Sequence, residues 1–280
     1  MREIKSEEII EKVAEMCIEA NCFLNDDIKN ALKSGIDKEE SETGKNVLKS
    51  LIENAEIAKE KVMPICQDTG MAVFFVEVGS EVLVTGKTLT EAINDGVSKG
   101  YTEGYLRKSV VADPLERTNT NDNTPAVIHY DFVPGDKIKI TFAPKGFGSE
   151  NKGGLKMLNP SDGVDGIVDF VIETVKKAGS NPCPPMVIGV GIGGTMDKVA
   201  VLAKYALTRD VDSENKNPYY AELEKKLLEK INMLGIGPQG LGGTVTALGV
   251  NIETFPTHIA GLPVAVNINC HVARHKTIEI

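Results

Sequence analysis

Pro64 divides the chain into two kinds of sequence. Before it, apolar residues recur every three to four positions. They are Ile9, Ile10, Val13, Met16, Cys17 and Ala20 in SEEIIEKVAEMCIEANCFL, and Val47, Leu48, Leu51, Ile52 and Ala55 in KNVLKSLIENAEIAKEKV, with DDIKNALKSG between. That period predicts amphipathic helices over the first 62 residues. Proline has no N–H and its ring collides with the preceding turn, so the helical run stops there. Beyond it the pattern turns to short β-rich runs. AVFFVEV (72–78), MVIGVGI (186–192), GGTVTALGVNIETF (242–255) and LPVAVNIN (262–269) read as strands, and AVIHYDFVPGDKIKITFAP (126–144) as a hairpin turning at Pro134-Gly135-Asp136. Between them, 89–110 predicts a helix weakened at Gly96, Gly100 and Gly104. Residues 161–179 predict one with Ser161 as N-cap and Gly179 after its end, and 194–207 and 217–235 two more. The expected fold is mixed α/β (α+β). A helical layer, residues 1–62, packs on a mixed β-sheet body, 63–280, in one domain without internal repeats.

Composition excludes several classes of function. With 31 Lys+Arg against 40 Asp+Glu the net charge is −9, the wrong sign for binding nucleic acid or an anionic membrane through the overall field. No apolar run approaches the ~18 residues of a membrane span. The N-terminus MREIKSEEIIEK has no apolar signal core. The chain reads as a soluble, cytoplasmic protein. An anionic substrate would have to be held by a few well-placed cations.

The five cysteines fall into two groups. Their odd number and wide spacing argue against a disulfide framework, and no C-x-x-C pair announces a zinc site. Cys17 and Cys22 occupy an amphipathic helix and read as small hydrophobes. Cys66, Cys183 and Cys270 sit instead in MPICQDTG, SNPCPPMV and NINCHVARH, non-helical segments rich in proline or polar residues. Metal binding and coincidence are equally compatible with these three on spacing alone. Gly189, Gly191 and Gly194 satisfy G-x-G-x-x-G between a strand and a helix. The βαβ unit that would make this a dinucleotide fingerprint is missing, because another helix follows. A nucleotide-binding module built on these glycines is the alternative reading from a different class.

The motifs PICQDTG (64–70), LRKSVVADPLERTNTNDNTPA (106–126), KGFGSENK (145–152), NPCPP (181–185), GIGGT (191–195), GPQGLGG (237–243) and FPTHIAGLPVAVNINCHVARH (255–275) run in order through nearly the whole chain. Together they resemble the iron–sulfur (class I) fumarases. More closely, they are similar to the α-subunit of the two-subunit form, which is shared with L-tartrate dehydratase. The resemblance implies a [4Fe–4S] cluster held by three thiolates, Cys66, Cys183 and Cys270, which meet at a common point and leave one iron open as a Lewis acid. It also implies that Gln67 and Asp68 contact substrate, with Asp68 orienting the proton-transfer group. Arg107 matches a carboxylate-binding arginine whose fork suits bidentate recognition. Gly148 would let the backbone approach the bound acid, and His258 matches a substrate-side histidine. Asp68 and His258 are thus the catalytic candidates. His271, adjacent to Cys270, could tune the cluster through a hydrogen bond but is not among the site candidates, while His129 and His275 read as structural or exposed.

Single-chain members of that family continue past the third cysteine into a domain carrying the catalytic base and further cations. This sequence ends ten residues after Cys270. The expectation is a hydro-lyase α-subunit that hydrates fumarate to L-malate only when a separate β-subunit completes the site, as an α2β2 assembly. L-tartrate dehydration is the alternative within the same chemistry. A scaffold subunit that has lost its cluster is a third class.

Overall fold

A computed structural model describes all residues, Met1–Ile280. In chain order the elements are β1 (Arg2–Lys5), α1 (Ser6–Cys22), α2 (Asp26–Lys38), α3 (Glu42–Lys61), β2 (Met71–Gly79), β3 (Val82–Thr85), α4 (Leu89–Glu103), β4 (Val127–Val133) and β5 (Ile138–Lys145). They continue with α5 (Phe147–Glu150), β6 (Gly154–Leu158), α6 (Gly163–Ala178), β7 (Met186–Gly193), α7 (Met196–Ala206), α8 (Pro218–Asn232), β8 (Ala247–Phe255), β9 (Leu262–Asn269) and β10 (Lys276–Glu279). The fold is mixed α/β. No helix is long and apolar enough to cross a membrane.

The chain forms two compact units, neither continuous in sequence. The first comprises Met1–Leu24, Ala55–Phe147 and Arg274–Ile280; the second comprises Asn25–Asn54 and Gly148–Ala273. The three N-terminal helices are therefore shared out between the units, with the division falling inside α3.

In the first unit a four-stranded sheet runs in the order β10-β5-β2-β4, beside a parallel β1-β3 pair. The segment read as a hairpin is not one. β2 lies between β4 and β5, parallel to the former and antiparallel to the latter. β5 is buried almost throughout whereas β4 is mostly exposed, so the apolar β2 is the partner that completes the core, and β4 forms the edge. The Pro134-Gly135-Asp136 turn is occupied by the β2–β3 turn, with Ser80 N–H donating to Val133 O at 2.8 Å and Glu81 N–H to Gly135 O at 2.9 Å. Helices α1 and α4 pack against one another through the glycines that weakened the α4 prediction. A Cβ on Gly96 would come within 2.6 Å of Val13 Cβ, and one on Gly100 within 2.8 Å of Cys17 Cβ. Close helix contact explains residues that local propensity disfavours. The Thr88 capping box starts α4.

The second unit is built on the sheet β6-β9-β7-β8. Its central strand β7 is buried at every position. Apolar residues of α6 and α8, Val171, Val175, Leu227 and Ile231 among them, share one core with this sheet, and Val199 and Ala203 of α7 pack on Ala265. Glycine is what lets α7 approach: a Cβ on Gly189 would lie 2.1 Å from Ala203 O, and one on Gly191 2.3 Å from Val199 O. Two glycines of the G-x-G-x-x-G match are thereby explained by helix–strand packing. Ser161 does not cap α6. It lies in a 3-10 turn, Pro160–Asp162, whose Asn159 N–H bonds to Asp162 Oδ2 at 2.9 Å, and α6 begins two residues later.

Candidate functional site

The five thiols divide by environment as they do by sequence. Cys17 and Cys22 are fully buried in the first unit. Cys66 and Cys270 are half-buried and Cys183 is exposed, all three on loops. Burial pushes the Cys17 thiol well up, and it raises Cys22 too, against the lowering effect of the nearby Arg274 guanidinium. Iron–sulfur clusters are held by thiolates. The two buried thiols resist ionisation, whereas the three loop thiols are accessible donors of the type such a cluster takes. Cys66 belongs to the first unit, Cys183 and Cys270 to the second. No group of three His, Cys, Asp or Glu side chains that could hold a metal ion is gathered.

In the first unit the loop after Cys66 is fastened at nearly every residue. Ile65 N–H donates to Asn21 O at 3.0 Å. The Asp68 carboxylate accepts from Gly70 N–H through Oδ1 and from Phe147 N–H through Oδ2, each at 2.9 Å. Both its oxygens thus hold backbone, a positioning geometry. Tyr101, fully buried on α4, donates its hydroxyl to the carbonyls of Thr69 at 2.8 Å and Gly70 at 3.1 Å. Buried Asn123 donates to Gly70 O and accepts from Ser109 N–H. Arg274 Nη2 donates to Asp68 O at 2.7 Å, while its buried Nε and Nη1 have no partner. Gly70 adopts φ +76, and a Cβ there would strike Lys145 N at 2.7 Å.

Around this frame, Gln67 and Arg107 are exposed. Thr69 Oγ1 accepts from Arg107 N–H at 2.9 Å and lies 3.2 Å from Arg107 O. The arginine backbone is thereby tied to the residue after Asp68, with the guanidinium left out of any ion pair. Arg107 is not the only candidate cation: Lys145 and Arg274 are both buried in the same unit. Neither was singled out from the sequence, although both lie inside quoted motifs. Asn123 was missed too, because an asparagine-rich loop looks like any solvated turn.

In the second unit the Cys183 and Cys270 loops meet. His271 N–H donates to Cys183 O at 3.3 Å, and its ring Nδ1 lies 3.0 Å from the same carbonyl. Gln239 donates both its backbone N–H and its side-chain Nε2–H to Pro184 O, each at 2.7 Å, and Nε2 also lies 3.2 Å from His271 Nδ1. A carbonyl only accepts, so the ring contacts are alternatives: protonated Nδ1 donates to Cys183 O, and bare Nδ1 accepts from Gln239. His258 lies exposed between β8 and β9, its Nδ1 accepting from Ala260 N–H at 3.2 Å. The neutral ring therefore carries its proton on Nε2. Gly148 is exposed, and a Cβ there would meet only Asn181 O at 3.9 Å. Packing does not require glycine at that position. His129 stacks on Phe75 with ring centroids 5.1 Å apart, a structural role.

The Fumarate hydratase (Fumerase) family profile matches residues 10–279. A Methanocaldococcus jannaschii protein provisionally named L(+)-tartrate dehydratase subunit alpha is 46% identical over 278 residues, 97% of each chain. An Escherichia coli protein named L(+)-tartrate dehydratase subunit alpha is 34% identical over 288 residues, covering 100% of this chain and 94% of its own. A match of this extent, spanning every loop described above, establishes descent: the chain belongs to the fumarate hydratase family.

Proposed function

We propose that this protein is the cluster-binding subunit of a hydro-lyase that adds water reversibly across fumarate to give L-malate, with Cys66, Cys183 and Cys270 holding a [4Fe–4S] cluster. The observation that carries the reading is the contrast among the thiols. Three lie on loops open to a ligand and two are sealed in helix packing. When bound, a cluster with three thiolates supplies a Lewis-acidic iron that makes a hydroxyl group a tolerable leaving group.

The rest is the work of this chain's own side chains. The unpaired Arg107 fork binds one substrate carboxylate, and its backbone tie to Thr69 sets its reach. Gln67, exposed beside Cys66, donates to the same acid. Removing a weakly acidic C–H next to a carboxylate builds negative charge, and the His258 Nε2–H is a donor free to hold it. Asp68 anchors the amides of Gly70 and Phe147 and through them orients the proton-transfer group. Gly148 leaves room for the acid to approach the backbone.

Relatives named as alpha subunits support a second chain. In this reading a β-subunit supplies the base and the remaining cations, in an α2β2 assembly. L-tartrate dehydration is the second reading, favoured by the names of those relatives. Co-expression with the cognate β-chain and anaerobic assay of fumarate, L-malate and L-tartrate tests both. The reading predicts turnover only with both chains and the higher kcat/KM for fumarate and malate. A preference for L-tartrate selects the second reading, and no turnover of any of the three acids refutes the function.

A further inference from the structure

We infer that Gln239 and His271 are positioning residues that fix the Cys183 loop against the Cys270 loop before any metal arrives, an inference that rests on the cluster reading above. Cys183 adopts φ +53 and Gln239 also φ +53. A non-glycine residue holds that left-handed conformation only where its surroundings over-determine it. The surroundings here do so. Gln239 spends two donors, backbone and side chain, on the single carbonyl that follows Cys183. His271, the residue after Cys270, turns its backbone N–H and its ring to the Cys183 carbonyl. The two successive carbonyls of Cys183 and Pro184 are therefore held by one residue from the Cys270 loop and one from the 237–243 loop.

The glycines of GPQGLGG serve this contact. A Cβ on Gly240 would lie 2.2 Å from Ser180 Cβ, and one on Gly237 would lie 2.1 Å from Gly242 O. The loop is thus folded tightly on itself and pressed against the 180–184 segment. Proline on either side of Cys183 removes the backbone freedom that remains. Nothing in the assigned chemistry uses Gln239, yet the loop around it is shaped to deliver its amide to Pro184. Holding two ligand loops in place beforehand removes the ordering cost from metal binding, which is how outer-shell groups raise affinity.

The test uses the full chain as wild type and as Gln239→Gly. Glycine keeps the backbone N–H and relieves the positive φ, so a purely structural role predicts an unchanged or higher Tm and no other effect. Positioning predicts two further changes. In the metal-free, reduced chain, amide exchange across 180–186 and 269–273 becomes about tenfold faster, the factor that one lost hydrogen bond gives. After anaerobic loading with ferrous iron and sulfide, iron passes to a ferrous chelator roughly tenfold to a hundredfold faster, with shifted g values in the EPR spectrum. His271→Ala should act in the same direction. Unchanged exchange and unchanged iron release in Gln239→Gly overturn the inference and leave the cluster reading standing. A wild-type chain that takes up no iron overturns the cluster reading instead, and the exchange data then decide the clamp by themselves.

Discussion

The Tyr101 hydroxyl is the part of the first-unit loop whose removal gives the cleanest quantitative test. It is fully buried and donates to the carbonyls of Thr69 and Gly70. Tyr101→Phe conserves the ring and its packing and deletes only that donor. Gly70 O retains Asn123, whereas Thr69 O, on a residue 1% exposed, loses its hydroxyl partner. A buried carbonyl left without a partner costs about 1–3 kcal/mol. At roughly 2–4 °C per kcal/mol for a chain of this size class, the melting temperature should fall by about 4–8 °C for a 2 kcal/mol loss. Burial pushes the phenol well above its ordinary pKa, so it stays a donor and the loss should not vary between pH 6 and 9. Urea unfolding at several pH values measures it. Tyr130→Phe is the control, because that hydroxyl bonds Thr90 Oγ1 at 2.8 Å on the exposed edge strand, where water replaces it and changes stay within ~0.5 kcal/mol. If Tyr101→Phe proves as harmless as Tyr130→Phe, the loop is not held in the way described.

The other predictions concern positions where stability and function should separate. Gly148→Ala has room for its methyl group, so its unfolding midpoint should match wild type while KM for the dicarboxylate rises. Gly100→Ala must part α1 from α4 and should lose about 1–3 kcal/mol in the same urea titration. His258→Ala removes an exposed donor to a charged group, which should lower kcat/KM by roughly 10- to 100-fold without moving Tm. Glu39, 2% exposed, would be raised by burial alone, but the amides of Ser41, Val245 and Thr244 outweigh that and hold its carboxyl below the usual range. With the folded pKa lowered, its stabilising contribution is present above the unfolded carboxylate pKa of ~4.3 and is lost as pH falls through the folded value. Glu39→Gln should therefore flatten the acid limb of stability against pH, as followed by urea midpoints from pH 3 to 7.

Helices and buried strands were legible in the sequence because their periodicity is dictated by burial on one or both faces, as in α1 and β7. The pairing of strands was not. Whether β4 meets β5 or β2 depends on which neighbour completes the core, and a turn such as Pro134-Gly135-Asp136 is equally compatible with both. β6 and β10, short and largely exposed, carry no pattern that local reading could catch. At the site, the accessible and buried cysteines were separable from their contexts alone. The residues that fix them were not, because Tyr101, Asn123, Gln239 and Arg274 act through hydrogen bonds to backbone groups far away in sequence. That is a relation no spacing rule encodes. The glycines at 189 and 191 suggested a phosphate loop for the same reason: sequence records that a side chain is missing, not whether a ligand or a helix fills the space.

Iron content tests the role of the three loop thiols most directly. Anaerobic reconstitution of the wild-type chain, followed by iron and sulfide analysis, should give about four of each per chain. Cys66→Ser, Cys183→Ser and Cys270→Ser should each abolish that content, while Cys17→Ala and Cys22→Ala, once shown to be folded, should retain it. Loss of iron in Cys17→Ala as complete as in Cys66→Ser would contradict the assignment of the three loop thiols.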